Sequence, residues 1–332
     1  MFLNRNLLPL ALCALLLGAL LLGGCSTSQT GFLGLAPAGD RRDYIYARDL
    51  YAQQNYTKAI EELTEYIYKT KNVKRREARA YRLLGMSYEQ LGDLSKALEV
   101  YLEALEFHPN NVPLLLAAAG LYQRTDLTDR SMELYERALA QEPNNLEALA
   151  GQASNYSAMG FYSKARSFYD KFFELNPEAG PQYRARYAYT FLRQRNYQDA
   201  FIHITMALAQ NDQSPDFWLL SAKAARGLNR PQDALADMEA ALALAPNRKD
   251  LLAHKALWLY EAGQYRESFQ TAERILQHEP GNQLALFIQA MDEYYLGRPQ
   301  DSRRHMTAVR EGNKDSFIGR VADKLLTAAP QR

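Results

Sequence analysis

The chain has 332 residues, with 39 lysine and arginine side chains against 38 aspartate and glutamate, and a formal net charge of +1. A near-neutral chain has no general positive field to hold a polyanion, so composition argues against nucleic-acid binding. With 47% hydrophobic residues and only two cysteines, the sequence can bury a core but is not organised by a disulfide framework.

At the N-terminus, Met1 to Asn6 precede an apolar run from Leu7 to Leu22, which ends in Gly23-Gly24-Cys25. That order is the pattern of a secretory signal peptide, and the uninterrupted apolar stretch is shorter than the ~20 residues a spanning helix needs. Leu22-Gly23-Gly24-Cys25 resembles a bacterial lipobox. The resemblance implies that residues 1–24 are removed and that the Cys25 thiol carries the lipid, so the protein meets the membrane through Cys25. Cys13 would be lost with the peptide. Ser26, in place of an aspartate, resembles the pattern of Gram-negative lipoproteins sent to the outer membrane and facing the periplasm. Residues 25–40 are rich in Ser, Thr, Gly and Pro and read as a flexible tether, with a root-mean-square reach of roughly 20 Å.

From there on a 34-residue phase governs the chain. Tyr81, Leu84, Gly85, Tyr88, Gly92, Ala97, Tyr101, Ala104 and Pro109 recur as Leu149, Ala153, Tyr156, Gly160, Ala165, Tyr169 and Pro177. Later come Trp218, Ala222, Ala234, Ala241 and Pro246, then Leu252, Ala256, Gly263, Ser268 and Pro280. The pattern predicts two helices per unit. Gly85 and Ala97 allow close approach, Tyr88 and Tyr101 fill the space between neighbouring units, and Pro109 stops the second helix. These residues resemble the tetratricopeptide repeat (TPR) family. The resemblance implies an all-α solenoid over residues 41–328, a right-handed superhelix of about eight helix-turn-helix repeats with a C-terminal capping helix. Units begin near residues 40, 78, 112, 146, 181, 215, 249 and 283, with the cap at 317–326.

The departures carry expectations too. One extra residue falls in Asn176–Pro181, where two prolines and a glycine would bend the stack. Thr125-Asp126 in the turn and Ser131 in place of alanine predict a looser unit from Val112, and Asn211–Ser214 replaces the closing proline of the unit from Pro181. Lys69, Lys71, Lys74, Arg75, Arg76, Arg79 and Arg82 form the strongest charge run, read chiefly as a solvated turn between repeats, with anionic lipid or an acidic partner as the functional alternative.

No zinc helix, phosphate loop, nucleophile elbow or paired histidines are present, so no catalytic residue, metal or cofactor is assigned. What remains is recognition. In the TPR family the first helix of each unit lines a concave groove that holds protein partners. Carried onto this chain, the groove comprises Tyr44, Arg48, Tyr51, Arg79, Arg82, Met86 and Glu89, then Tyr189, Lys223 and Arg226, then Tyr260, Phe287, Met291 and Tyr294. Ala150, Ser154 and Ser157 make its middle small and polar. The asparagines of chaperone-binding carboxylate clamps are replaced by Met86 and Ala117. The whole plan is similar to TPR lipoproteins that help assemble pilus or secretion complexes. Scaffolds for peptidoglycan hydrolases or polysaccharide export are the alternative, and an enzyme accessory subunit is a more distant one.

Overall fold

The computed structural model of the protein describes residues 38–69 and 77–328, so the expected signal peptide, Cys25 and most of the tether lie outside the described residues. Seventeen helices occur among those described. The first helices of the units are α1 (Ala38–Ala52), α3 (Ala78–Gln90), α5 (Val112–Arg124), α7 (Leu146–Ala158), α9 (Pro181–Arg193), α11 (Pro215–Gly227), α13 (Lys249–Glu261) and α15 (Gln283–Tyr295). Their second helices are α2 (Tyr56–Lys69), α4 (Leu94–Phe107), α6 (Thr128–Gln141), α8 (Tyr162–Leu175), α10 (Tyr197–Gln210), α12 (Pro231–Leu244), α14 (Tyr265–Leu276) and α16 (Pro299–Gly312). The last helix, α17 (Phe317–Ala328), stands where the first helix of a ninth unit would begin and closes the stack.

Local chemistry explains why each pair folds back on itself. Every turn between the two helices of a unit holds one residue in the left-handed region: Gly92, Gly160, Gly263 and Gly297 in four units, and Gln54, Asp126, Arg195 and Asn229 in the others. A side chain is disfavoured there by roughly 1–2 kcal/mol, least for Asn and Asp, so Gln54 and Arg195 hold strained positions that glycine would occupy freely. Asn111, Asn145 and Asn282 cap first helices through their side-chain oxygens, which accept from the backbone N–H groups of Leu114, Ala148 and Ala285. Second helices end before Pro109, Pro143, Pro177 and Pro246, which cannot continue the hydrogen-bond ladder.

Those prolines also tie one unit to the next. The carbonyl of Pro109 accepts from Arg137 Nη2 at 2.7 Å, that of Pro143 from Lys171 Nζ at 2.7 Å, and that of Pro246 from Arg274 Nη2 at 2.5 Å. Packing between helices depends on aromatic rings laid against glycine. A Cβ at Gly85 would lie 2.2 Å from the Tyr101 ring, and one at Gly151 would lie 2.3 Å from Tyr135. Tyr101 therefore fills space inside its own unit, which corrects the expectation that it lies between units; Tyr135 does reach across to the next.

Ser131 changes meaning in three dimensions. Its buried hydroxyl donates to the Ala119 carbonyl at 2.9 Å and accepts from Asn155 Nδ2 at 2.8 Å, while Asp126 takes the left-handed turn position. The unit from Val112 is thus stitched rather than loosened at Ser131. Ser268 and Ser302 make the same bond to the carbonyls of Ala256 and Ala290. The core is continuous from Ala47 to Ala148, then breaks into smaller aromatic clusters around Tyr169, Phe172, Tyr187 and Phe191, flanking the extra residue near Asn176.

Candidate functional site

Successive first helices approach one another, as in α1–α3, α3–α5, α5–α7, α7–α9, α9–α11, α13–α15 and α15–α17, whereas among the described residues no successive second helices do so as closely. First helices therefore crowd the inner, concave side of the stack. The loosest neighbouring first helices are α11 and α13.

At the start of this face, Arg79 sits over the Tyr44 ring at 4.5 Å and is held by Glu77 Oε2 at 2.5 Å. Tyr44 also lies against Tyr66 with ring centroids 6.0 Å apart, and Tyr51 packs edge-on to Tyr56 at 5.3 Å. Burial pushes the Tyr51 phenol up. Arg48 is paired to Asp49 at 2.8 Å, Arg82 is exposed and Met86 is half-buried. Glu89 is already engaged: it accepts from the Tyr101 hydroxyl at 2.8 Å and from Arg124 Nη1 at 2.6 Å. Of the basic run, Lys69 pairs with Asp43 and Arg79 with Glu77, while Lys71, Lys74, Arg75 and Arg76 lie outside the described residues.

The middle differs from expectation. Ala150 and Ser157 are buried, Ser157 bonding Thr190 across to α9, so they form the floor's interior and not its surface. Ser154, half-buried, meets the Tyr169 hydroxyl at 3.3 Å. Tyr189 is exposed and accepts from Arg193 Nη1 at 3.2 Å.

Beyond it lies a cleft of about 620 Å³ lined by Leu192, Arg193, Arg195, Tyr197, Lys223, Arg226, Gly227, His254 and Trp258. Arg226 pairs with Glu261 and lies 5.0 Å from the Trp258 ring. Burial holds the Lys223 ammonium below its ordinary value, and burial together with Lys223 lowers His254. Arg193, Arg195, Tyr197, His254 and Trp258 escaped the sequence reading. The usable signal was Arg195, which stands where other turns carry glycine.

At the far end, Tyr260 is 5.8 Å from Tyr265 and 6.0 Å from Tyr295, and burial pushes its phenol up to about 12. Tyr294 is 62% exposed. Phe287 and Met291 are half-buried against a cluster that includes Met306, Val309 and Ala322, so they share their surface with α16 and α17. The groove residues thus form three separate patches. Among the described residues, no group of three or more His, Cys, Asp and Glu gathers as a metal site, and no helix is long and apolar enough to cross a membrane.

A tetratricopeptide-repeat model matches residues 47–112 and 219–283. A TPR protein from Parabacteroides merdae shares the architecture with TM-score 0.53 and 16% identity, over 88% of this chain and 98% of the other. The chain folds as a TPR solenoid. A chain of the APC/C hetero-tetramer Cut9-Hcn1 is similar with TM-score 0.57 and 15% identity, over 85% of this chain and 54% of that one. Human RANBP2-like and GRIP domain-containing protein 8 is 32% identical over 100 residues, 29% of this chain. The TPR chain spans only about 5% of that relative's length.

Proposed function

We propose that this TPR solenoid is a scaffold that holds protein partners along its concave face and is anchored by lipid on Cys25 to the periplasmic side of the outer membrane. The observation that carries the binding half is the inner face itself: first helices in mutual contact present Tyr189, Arg226 and Tyr294 to solvent in a row of patches. Such a surface recognises by packing and charge. The anchoring half rests on Leu22-Gly23-Gly24-Cys25 and Ser26.

Within this reading the partner is a pilus or secretion complex under assembly, which rests on the resemblance of the plan to lipoproteins of that kind; peptidoglycan hydrolases and polysaccharide export are the other candidates. Photo-crosslinkers at Tyr189, Arg226 and Tyr294 are expected to capture partners in cells, while one at Ile202 on α10 does not. Capture from Ile202 alone would move recognition to the convex face. Fatty-acid labelling that disappears in Cys25→Ala checks the anchor, and the genes flanking this one separate the envelope systems.

A further inference from the structure

The cleft between α9, α11 and α13 has a composition that the rest of the groove lacks. Its lining brings together Arg193, Arg195, Lys223, Arg226 and His254, and no carboxylate is among the lining residues. Two carboxylates stand near it. Glu261 is taken by Arg226, and Asp250, within electrostatic reach of Lys223, is bonded by Arg248 Nε at 2.9 Å. Lys223, half-buried, has no ion-pair or hydrogen-bond partner among the described residues.

Trp258 supplies an independent sign of an absent ligand. It is 6% exposed, it lines the cleft, and its indole Nε1–H is buried with no acceptor. A buried donor without a partner is costly, and so is a half-buried ammonium; both are relieved by the same kind of group, one that only accepts. An ionised carboxylate is that group. The walls add an apolar requirement, since Leu192 and the Tyr197 ring, both half-buried, can pack against a flat or branched side chain. The size is that of a pocket for a few side chains rather than for a folded domain.

We infer that this cleft binds an acidic segment of a partner protein, with an aspartate or glutamate carboxylate accepting from Lys223 Nζ and the Trp258 indole N–H, and a neighbouring apolar side chain packed on Leu192 and Tyr197. The inference rests on the groove reading above and gives it a partner chemistry. Residues 26–39, 70–76 and 329–332 contain no acidic side chain. Charge complementarity therefore points to another protein.

The test uses the full chain in dodecyl maltoside micelles and fluorescence polarisation. The probe is a labelled decapeptide of aspartate and glycine around one phenylalanine, compared with its counterpart in which asparagine replaces every aspartate. The acidic peptide is expected to bind at least about tenfold more tightly, the scale of a charge-assisted hydrogen bond. Lys223→Met keeps the apolar stem and should bring the acidic peptide down to the level of its asparagine counterpart. Trp258→Phe, which removes the five-membered ring with its N–H and keeps an aromatic ring in place, should weaken it about threefold or more. Arg303→Met, an exposed cation on the second helix α16, should change nothing. Circular dichroism confirms that each variant keeps its helices, and Lys223→Gln serves if Lys223→Met does not. Equal binding of the two peptides, or unaltered affinity in both Lys223 variants, overturns the inference. So does tighter, Lys223-dependent binding of a labelled ten-nucleotide oligo-dT, which would make the ligand a phosphate polymer. Partner crosslinks along the first helices without acidic-peptide binding would sink this inference and leave the groove reading standing; loss of both would sink both.

Discussion

The units before Asn145 and those after it are built from one repeat, yet they differ in how completely their buried polar groups are satisfied. Among the described residues the buried side-chain polar atoms without a partner are Gln152 Oε1, Arg184 Nε, Trp258 Nε1 and both oxygens of Asp292, all in the later units. Through the earlier units a single apolar cluster runs unbroken from Ala47 to Ala148, and Glu89, Glu103 and Ser131 all find partners. Full satisfaction stabilises a rigid stack. Unsatisfied donors and acceptors cost stability, and they are found where a ligand or a proton can still change the balance.

The largest test of that contrast is overpacking. Gly85→Leu would drive into the fully buried Tyr101 ring, whereas Gly227→Leu meets Tyr197, which is half-buried beside an exposed glycine. Gly85→Leu is expected to cost ~3 kcal/mol or more and Gly227→Leu clearly less, as read from chemical denaturation. Equal losses would erase the distinction between a closed and an open half.

Next comes a pH effect confined to the last repeat. Burial pushes the Asp292 carboxyl up to about 7 from its ordinary 3.8, with Glu293 adding to it; the nearby Ser268 hydroxyl is engaged by the Ala256 carbonyl. Glu293 in turn lies 2.8 Å from His305 Nδ1. Because the folded-state value is raised, the unfolded chain releases this proton first, and stability falls as pH rises from about 4 to about 7. Asp292→Asn should match the wild type near pH 4 and exceed it at pH 8 by about 1–3 kcal/mol. A difference independent of pH would mean the carboxyl is not the titrating group.

Smaller effects come from the turns. Arg195→Gly should stabilise by about 1 kcal/mol, since it removes a side chain from the left-handed region, while Asn229→Gly should gain much less. If the acidic peptide binds less well to Arg195→Gly despite its higher melting temperature, the strained arginine is kept for its charge. Smallest is the comparison of two cations: Lys223→Met should raise stability by about 0.5 kcal/mol at pH 7 through removal of a half-buried unpaired charge, and Arg79→Met should lower it by about as much or less. The Lys223 gain should shrink as pH rises, because its lowered folded-state value means that wild-type stability recovers once the ammonium is neutral.

Periodicity in Tyr81, Gly85, Ala97 and Tyr101 was enough to read paired helices and a solenoid, because close packing of a repeated unit needs small and large residues at repeating positions. The proline stops were legible for the same reason: a missing N–H acts locally. What Ser131 does was not legible, since its partners, Ala119 and Asn155, sit on two other helices. Burial of Ala150 and Ser157 under α9 was equally hidden, because repeat phase says which way a side chain points but not how near the next helix comes. The cleft depends on that separation. Its residues belong to α9, α10, α11, α13 and one turn, far apart in sequence, and the looser spacing of α11 and α13 is set by how whole units stack. Sequence thus determined the repeat and its helices, which are matters of local spacing and backbone chemistry. Tertiary structure alone decided which inward charges are answered, because a salt bridge or an orphaned donor depends on distances across units that no single period encodes.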